Sequence, residues 1–337
     1  MKHTFIDLFG APGGMSRGFQ LSKKFRPMGM LDIFADGVET YRKNFPEVPE
    51  QNAVLGDASK PGIVKRFEKE TGLRPGDIDV IVGGPPCQGF SAVGRIMIAQ
   101  LVKDGVRTGR SKNPRFIDDP RNNLYKSFVK FVRHYKPKAV VMENVPGMMS
   151  YKDGNVAEQI KKDLVASGYP NTDYKILNAV NFGVPQKRKR IIFIGTREDT
   201  AIQWPEMTHV QLKDDQARPD TQVPVTVRDA FGDLPELELP ERGSKAKDEA
   251  VAYAKRAISE YQEFVRDGST ELHNHITRWH REKDIKIFSF MKMGMTYEEL
   301  PDKYRMMIGY SVKSFKDKWK RLVLDEPAWT VVSHLHK

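Results

Sequence analysis

The chain has 337 residues, enough for one large domain and a smaller one, and 39% of them are hydrophobic. It has no apolar stretch near the length of a membrane span and no signal-peptide pattern, so we expect a soluble, cytoplasmic protein. The formal net charge of +11 favours a polyanionic partner such as nucleic acid, and the single cysteine excludes an internal disulfide and a cysteine-based zinc site.

The first part of the chain alternates short apolar runs with amphipathic segments, which is the pattern of βαβ units. This pattern predicts an α/β fold with a doubly wound, mostly parallel sheet. The strand pattern ends near Thr196, so we predict a large domain over residues 1–196 and a smaller, irregular one over residues 197–337. The predicted strands are 3–9, 27–33, 78–82, 139–142, 174–177 and 191–194, and the predicted helices are 13–21, 63–71, 124–135 and 156–167.

The turn from Asp7 to Gly14 joins the first predicted strand to the first helix, and its glycines let the backbone approach a ligand. Asp32 ends the second strand, where such folds bind ribose hydroxyls, and Asp57 follows the third. A glycine-rich turn alone also serves packing, but the three features together predict an adenosine cofactor. Since no basic residue stands beside Asp32, a cofactor without a 2′-phosphate is favoured.

The only cysteine, Cys87, follows the strand 78–82 in the sequence Gly-Gly-Pro-Pro-Cys-Gln-Gly-Phe-Ser. A lone cysteine is most often a small buried hydrophobe. Here two prolines stiffen the preceding backbone, and the polar residues Gln88 and Ser91 follow, which is a poor setting for the core. We therefore predict a nucleophilic thiol at the carboxyl edge of the sheet.

Glu143 follows the strand 139–142, so its carboxylate is predicted at the same edge. A loop glutamate is usually only solvated, but its place at the tip of a central strand favours an acid partner for Cys87. The run Gln-Lys-Arg-Lys-Arg at 186–190 has two interpretations. It is either a solvated basic segment, or a strand start whose alternation places Arg188 and Arg190 on one face, where they contact phosphate or the reacting base.

Together these motifs resemble those of the cytosine-C5 DNA methyltransferase family, and they occur in the family's order across about residues 5–196. The series also includes Asp119-Pro120-Arg121-Asn122 and Glu143-Asn144-Val145. The resemblance implies a Rossmann-like fold that binds S-adenosylmethionine, which becomes S-adenosylhomocysteine, and no metal. The cofactor-binding residues that it implies are Phe9, Gly13, Gly14, Asp32, Ile33, Asp57, Ala58, Gly84, Pro86 and Leu124.

The resemblance also implies a mechanism on a cytosine flipped out of duplex DNA. Cys87 adds to C6 while Glu143 hydrogen-bonds or protonates N3 and holds the exocyclic amine. Arg190 holds Glu143 or the base, and Arg188 assists near the nucleophile. Methyl transfer to C5, loss of the C5 proton and expulsion of Cys87 then leave 5-methylcytosine. The implied DNA contacts are Gln88, Ser91, Arg95, Arg121 and Gln186.

Residues 197–337 are expected to read the target sequence, which the chain itself does not reveal. The segment 314–320 is equally well explained as a surface segment that packs two aromatic side chains. The candidate contacts to DNA are Arg278, Trp279, His280, Lys313, Lys316 and Lys318.

The chain departs from the family pattern in four ways. Gly10 stands one position away from the family's first glycine, and Asp32 replaces the usual glutamate. Ile33 takes the place of an aromatic that stacks on adenine, so we expect weaker cofactor affinity. After 320–332, which resembles the end of a target-recognition region, the family's last two helical motifs have no counterpart before Lys337. A split enzyme or a truncation is favoured over a degenerate protein, and we expect the chain to need a C-terminal fragment or a second polypeptide.

Other functions remain open. The chain resembles a restriction-modification enzyme or one of a related defence system, with an orphan or phage enzyme as the alternative. A non-catalytic DNA-binding subunit of a defence complex, or an RNA cytosine-C5 methyltransferase, would retain the same fold, and lysine-rich solubility would also explain the charge. A nicotinamide oxidoreductase does not account for Cys87, Glu143 and Arg188, and a cysteine hydrolase lacks a histidine at a comparable strand end.

Overall fold

The computed structural model describes residues 1–86, 123–150, 155–198, 200–210, 219–242, 250–277, 279–308 and 319–331. The chain divides into two compact units. The first consists of Met1–Leu177 and Lys189–Pro205, and the second of Asn178–Arg188 and Glu206–Lys337. The chain therefore passes between the units three times. The division of cofactor binding and target recognition between residues 1–196 and 197–337 stays a prediction.

The first unit is built on a seven-stranded sheet. Its strands are β1 (His3–Leu8), β2 (Phe25–Asp32), β3 (Ala53–Leu55), β4 (Val80–Gly83), β5 (Ala139–Asn144), β6 (Asn171–Asn178) and, after the short β7 (Gln186–Lys187), β8 (Lys189–Thr196). The order across the sheet is β3-β2-β1-β4-β5-β8-β6. Neighbours from β3 to β5 pair in parallel, whereas β8 runs antiparallel to β5. The predicted doubly wound, mostly parallel sheet is confirmed.

Helices connect these strands. The described ones are α1 (Gly14–Leu21), α2 (Ala35–Asn44), α3 (Ile63–Thr71), α4 (Leu124–Tyr135) and α5 (Asn155–Val165). The bounds of α3 and α4 are those that the sequence predicted. Helix α2 was not predicted, because few of its residues are apolar and its buried face is narrow.

The core of the first unit lies on both faces of the sheet. On one face Ile81 and Met142 pack with Phe67 and Phe128, which come from α3 and α4. On the other face the core contains Phe5, Val80 and Val82, with Phe19 of α1 packed against them. Strand β4 is buried along its whole length, which explains its short run of β-branched residues. Two covered faces leave the ends of the strands as the place where polar side chains reach a ligand.

The described part of the second unit contains only short elements. Trp319 closes a core formed with Ile287, Met291, Leu300 and Ile308. Within the described ranges of the whole chain, no helix has both the length and the apolar character that crossing a membrane requires. The elements of this unit are β7, β9 (Val251–Ala252), β10 (Glu271–Leu272), β11 (Ala328–Trp329), α6 (Val227–Phe231), α7 (Glu260–Arg266), α8 (Glu282–Phe290) and α9 (Asp302–Met307).

Candidate active site

One edge of the sheet collects the predicted site residues of the first unit. The carboxyl ends of β1, β2, β4 and β5 meet there because these strands run parallel. Strand β8 runs the other way, so its beginning lies at that edge, and the pairing of Asn144 with Ile191 places Arg190 beside the end of β5. Of the predicted residues, Phe9 and Gly84 directly follow β1 and β4, Asp32 ends β2, and Glu143 is the next-to-last residue of β5, which extends two residues beyond its predicted end at 142.

Glu143 and Arg190 form an ion pair at this edge. Arg190 Nε lies 2.6 Å from Glu143 Oε1, and the two side chains are only 29% (Glu143) and 19% (Arg190) exposed. Arg190 also donates from Nη1 to the carbonyl of Lys189, which fixes the guanidinium. On the other side, a Cβ atom at Gly84 would lie 3.3 Å from Glu143 Oε2. The carboxylate is therefore held between a half-buried cation and a backbone without a side chain.

The segment that leads into Cys87 is tied to β5. The buried side chain of Asn144 donates from Nδ2 to the carbonyl of Pro85 over 3.1 Å, and its Oδ1 accepts from the amide of Val145. A Cβ atom at Gly83 would collide with the carbonyl oxygen of Leu8 on β1, so this position requires glycine. Pro86 is exposed and is the last described residue before Cys87. The predicted residues Cys87, Gln88, Ser91, Arg95 and Arg121 lie outside the described residues.

Sequence reasoning missed the part that Asn144 plays. It stands next to Glu143 in the motif Glu-Asn-Val, and its conformation links the ends of two strands. The sequence did contain a signal for this role. Asn144 falls on the buried side of a strand whose residues alternate between buried and half-buried, and a buried amide side chain needs a hydrogen-bond partner.

The turn after β1 is built closely against the first unit. Phe9 has a positive φ of 61°, and its amide donates to the carbonyl of Leu31 on β2. A Cβ atom at Gly10 would collide with the side chain of Asp7, and Gly13, with φ of 109°, would collide with the ring of Phe45. The shifted first glycine is therefore required where it stands. Gly14 has open space around it, and its position begins α1.

A buried carboxyl lies beneath this turn. Ser16 Oγ donates to Asp7 Oδ2 over 2.7 Å, while Asp7 Oδ1 has no hydrogen-bond partner among the described residues. Burial raises the pKa of Asp7 from its ordinary 3.8 to about 7. The group therefore changes its charge near neutral pH.

Asp32 binds the turn to the end of β2. Its Oδ2 accepts from the amide of Ala11, and its Oδ1 accepts from the amide of Phe34. Three large apolar side chains near it face solvent: Ile33 is 67% exposed, Phe34 60%, and Leu55, which pairs with Asp32 in the sheet, 45%. Such clustered exposure is typical of a binding surface. The sequence indicated Ile33, whereas Phe34 and Leu55 were missed because exposure depends on tertiary packing.

The remaining cofactor candidates have different environments. Asp57 accepts hydrogen bonds from the hydroxyl and the amide of Ser59, which hold the pKa of that carboxyl below its usual value. The side chain of Ala58 is buried in the core, so only its backbone is available to a ligand. Leu124 is half-buried at the first position of α4. In the part of the chain that the structure describes, no group of three His, Cys, Asp or Glu residues is arranged to bind a metal.

The basic run is divided between the two units. Gln186 and Arg188 belong to the second unit, whereas Arg190 belongs to the first. The carbonyl of Arg188 accepts from the amide of Ala179. The structure thus brings Arg190, but not Arg188, together with Glu143 inside one unit.

Two candidates for reading DNA are described in the second unit. Trp279 is 41% exposed, and the guanidinium of Arg242 lies 5.7 Å from its ring centroid. His280 packs its ring edge-to-face with Phe288. The predicted residues Arg278, Lys313, Lys316 and Lys318 lie outside the described residues.

The strand order, the glycine turn after β1 and the polar edge together are those of the Rossmann-like methyltransferase fold. A solved structure described as a DNA modification methyltransferase encoded within a prophage (E. coli) matches with a TM-score of 0.63, covering 98% of this chain and 82% of that one. Its sequence is 23% identical, so this likeness shows the fold. The family itself follows from the sequence: residues 3–321 match the C-5 cytosine-specific DNA methylase family, and the chain belongs to it.

The curated relatives that the chain resembles include several named as Type II methyltransferases. Type II methyltransferase M1.HphI of Haemophilus parahaemolyticus is 34% identical over 80% of this chain and 62% of that protein. M.DdeI of Desulfomicrobium norvegicum is 32% identical over 89% of this chain and 64% of that protein. M.AquIA of Picosynechococcus is 31% identical over 71% of this chain and 92% of that protein. The chain spans about three-fifths of the length of the first two relatives.

Proposed function

We propose that this chain carries the catalytic part of an enzyme that transfers a methyl group from S-adenosylmethionine to C5 of a flipped cytosine in duplex DNA. Membership of the family and the Type II methyltransferase relatives support a role in restriction-modification. The observation that carries the proposal is the pair of Glu143 and Arg190, held beside the segment that leads into Cys87.

The residues at the edge fit S-adenosylmethionine. Gly10 and Gly13 let the turn lie directly against Asp7 and Phe45, Gly14 leaves open space where α1 begins, and Asp7 beneath the turn keeps one oxygen without a partner among the described residues. The exposed apolar side chains of Ile33 and Phe34 suit an adenine ring, and Asp32 suits ribose hydroxyls. When bound, the cofactor supplies an electrophilic methyl group on a sulfonium. The residues that would hold it are Phe9, Gly13, Gly14, Asp32, Ile33, Phe34, Leu55, Asp57, Gly84, Pro86, Leu124 and the backbone of Ala58.

The chemistry that we propose for this chain's own residues activates the pyrimidine. The thiolate of Cys87 forms a bond to C6, and the electron pair displaced from the C5–C6 bond makes C5 nucleophilic. Glu143 holds N3 and the exocyclic amine, so that the charge developing on the ring is met by a hydrogen bond. After methylation at C5, a base removes the C5 proton, and the returning electron pair expels the Cys87 thiolate.

Arg190 acts on this chemistry through Glu143. A charge-assisted hydrogen bond of 2.6 Å to one carboxylate oxygen leaves the other oxygen available to the base. Because the pair is half-buried, solvent screens it less than an exposed pair. We therefore assign Arg190 to positioning the acid.

We also propose that full activity needs a further C-terminal segment, in the same polypeptide or in a second one. M1.HphI and M.DdeI are each longer than the part that matches this chain, with 62% and 64% of their lengths covered. M.AquIA, by contrast, is covered over 92% of its length, so a curated relative of similar extent exists. Comparing methyl transfer by this chain with and without the product of the neighbouring reading frame tests the requirement, and equal rates would contradict it.

Methyl transfer from labelled S-adenosylmethionine to mixed-sequence duplex DNA tests the reaction, together with trapping on a duplex that contains 5-fluorocytosine. We expect Cys87→Ala to form no adduct and Glu143→Gln to slow transfer by about 100-fold. Glu68→Gln is the matched control, since Glu68 has a similar exposure of 31% and a partner in His134, and its rate should not change.

The outcomes separate the alternatives. If the fully assembled protein neither labels nor traps DNA that contains its site, the proposed reaction is wrong. Label that enters transfer RNA alone would favour an RNA methyltransferase. A biological activity that survives Cys87→Ala would favour a non-catalytic DNA-binding subunit.

A further inference from the structure

Two lysine side chains share one tryptophan ring in the second unit. The ammonium of Lys320 lies 4.4 Å from the ring centroid of Trp329, and that of Lys187 lies 5.3 Å from it. The two nitrogens are therefore within about 10 Å of each other, which is about one Debye length at moderate ionic strength. Trp329 is 37% exposed, so this arrangement is at the surface.

The backbone holds this arrangement in place. Strands β7 and β11 pair in parallel, with Trp329 opposite Lys187. The amide of Ala328 donates to the carbonyl of Pro185, and Thr330 Oγ1 donates to the carbonyl of Lys187. The ring and Lys187 thus belong to one small ribbon rather than to two independent loops.

We propose that Lys187 and Lys320 bind neighbouring backbone phosphates of the duplex, one each, and that Trp329 positions them; this inference rests on the proposed function. An ammonium has three donors, and stacking over an aromatic ring leaves donors available to an anion. Lys187 lies 3.4 Å from Glu326, which occupies one of its donors. The other carboxylate of that turn, Asp325, is bound to Arg228.

Phosphate is favoured over a base as the occupant. The ammonium groups already lie over the ring of Trp329, so the face that a base would stack on is in use. Lysine acts on phosphate as a point charge and needs no fixed fork geometry. Lys187 also stands three residues before Arg190 in the chain, so the ribbon is next in sequence to the predicted catalytic strand. A contact of this kind positions DNA without reading its sequence.

The salt dependence of binding to a fluorescent mixed-sequence duplex tests this site. We expect Lys187→Gln and Lys320→Gln each to reduce the magnitude of the negative slope of log affinity against log salt by about 0.9, and the double variant by about twice that. Between about 50 and about 200 mM salt, the double variant should therefore lose about tenfold less affinity than the wild type. Trp329→Leu should also reduce the magnitude of the slope, whereas Trp329→Phe, which keeps a ring, should reduce it less.

Lys161→Gln is the matched control. Lys161 has an exposure of 36% against 35% for Lys187, and it lies 3.5 Å from Asp173 as Lys187 lies 3.4 Å from Glu326. Its slope should equal that of the wild type, and unchanged melting temperatures should show that all variants are folded. If both lysine variants keep the wild-type slope, the phosphate site is wrong while the proposed function stands. If the wild type shows no salt-dependent binding to DNA, both fail together.

Discussion

Replacing Asp7 by asparagine probes the carboxyl group beneath the turn after β1. Asp7 is buried, accepts one hydrogen bond from Ser16, and has one oxygen without a partner among the described residues. Burial raises its pKa from 3.8 to about 7, so the folded protein keeps the proton over a pH range in which the unfolded chain has lost it. Asparagine has nearly the same shape and no charge.

The direction in which the free energy of unfolding changes with pH follows from the number of protons bound in the folded and unfolded states. Below pH 3.8 the carboxyl is protonated in both states and contributes nothing. As the pH rises toward 7 the folded state binds more protons than the unfolded one, so the free energy of unfolding falls. Above pH 7 the destabilisation that comes from the buried Asp7 charge has reached its full size. A difference of about three pKa units corresponds to about 4 kcal/mol, of which about 3 kcal/mol accumulates between pH 5 and pH 8.

Urea unfolding of the wild type and Asp7→Asn at several pH values measures this difference. We expect the variant to gain about 3 kcal/mol relative to the wild type between pH 5 and pH 8, with equal m-values. Asp79→Asn is the control. Burial alone would raise the pKa of Asp79, but its hydrogen bonds to Lys138 and Thr4 outweigh burial and lower it. Its stabilisation is lost only as the pH falls below 3.8, so the effect of Asp79→Asn should stay constant from pH 5 to pH 8. A pH-independent effect of Asp7→Asn would refute the reasoning, since it would mean that the folded protein holds Asp7 in the ordinary charged form.

Three further changes test the edge of the sheet. Arg190→Gln should lower kcat by about 100-fold with little change in cofactor affinity, because the acid loses its orientation; stopped assays and cofactor titration separate the two effects. Asn144→Ala leaves the carbonyl of Pro85 without its donor and should cost about 1–3 kcal/mol in urea unfolding, whereas a loss below 0.5 kcal/mol would show that the tether is not needed. Gly83→Ala forces a collision with the carbonyl of Leu8 and should cost at least about 1–3 kcal/mol, and an unchanged melting temperature would contradict the close approach of β4 to β1.

The sequence predicted the elements whose pattern is local and strong. Helices α3 and α4 have long amphipathic repeats, and their predicted bounds are those observed. The apolar run at 78–82 likewise indicated a buried strand, which the structure has at Val80–Gly83. Helix α2 was not predicted, because three buried residues among ten give little periodicity.

The features that sequence reasoning missed depend on distant residues. The segment Asn178–Arg188 joins the second unit because β7 pairs with β11, about 140 residues later, and no local pattern encodes such a pairing. The pairing of Glu143 with Arg190 follows from the direction of β8, which periodicity does not give. The exposure of Phe34 could not be predicted either, because the residues that surround a side chain are determined by the whole fold.

The triple passage of the chain between its two units matters for anyone who wishes to recombine such enzymes. A chimera joined by a single exchange after residue 196 would separate β7 from β11 and leave both ribbon partners in foreign surroundings. Transplanting the second unit intact needs Asn178–Arg188 to travel with Glu206–Lys337. In this architecture, the second unit is therefore encoded by two separate stretches of gene rather than one.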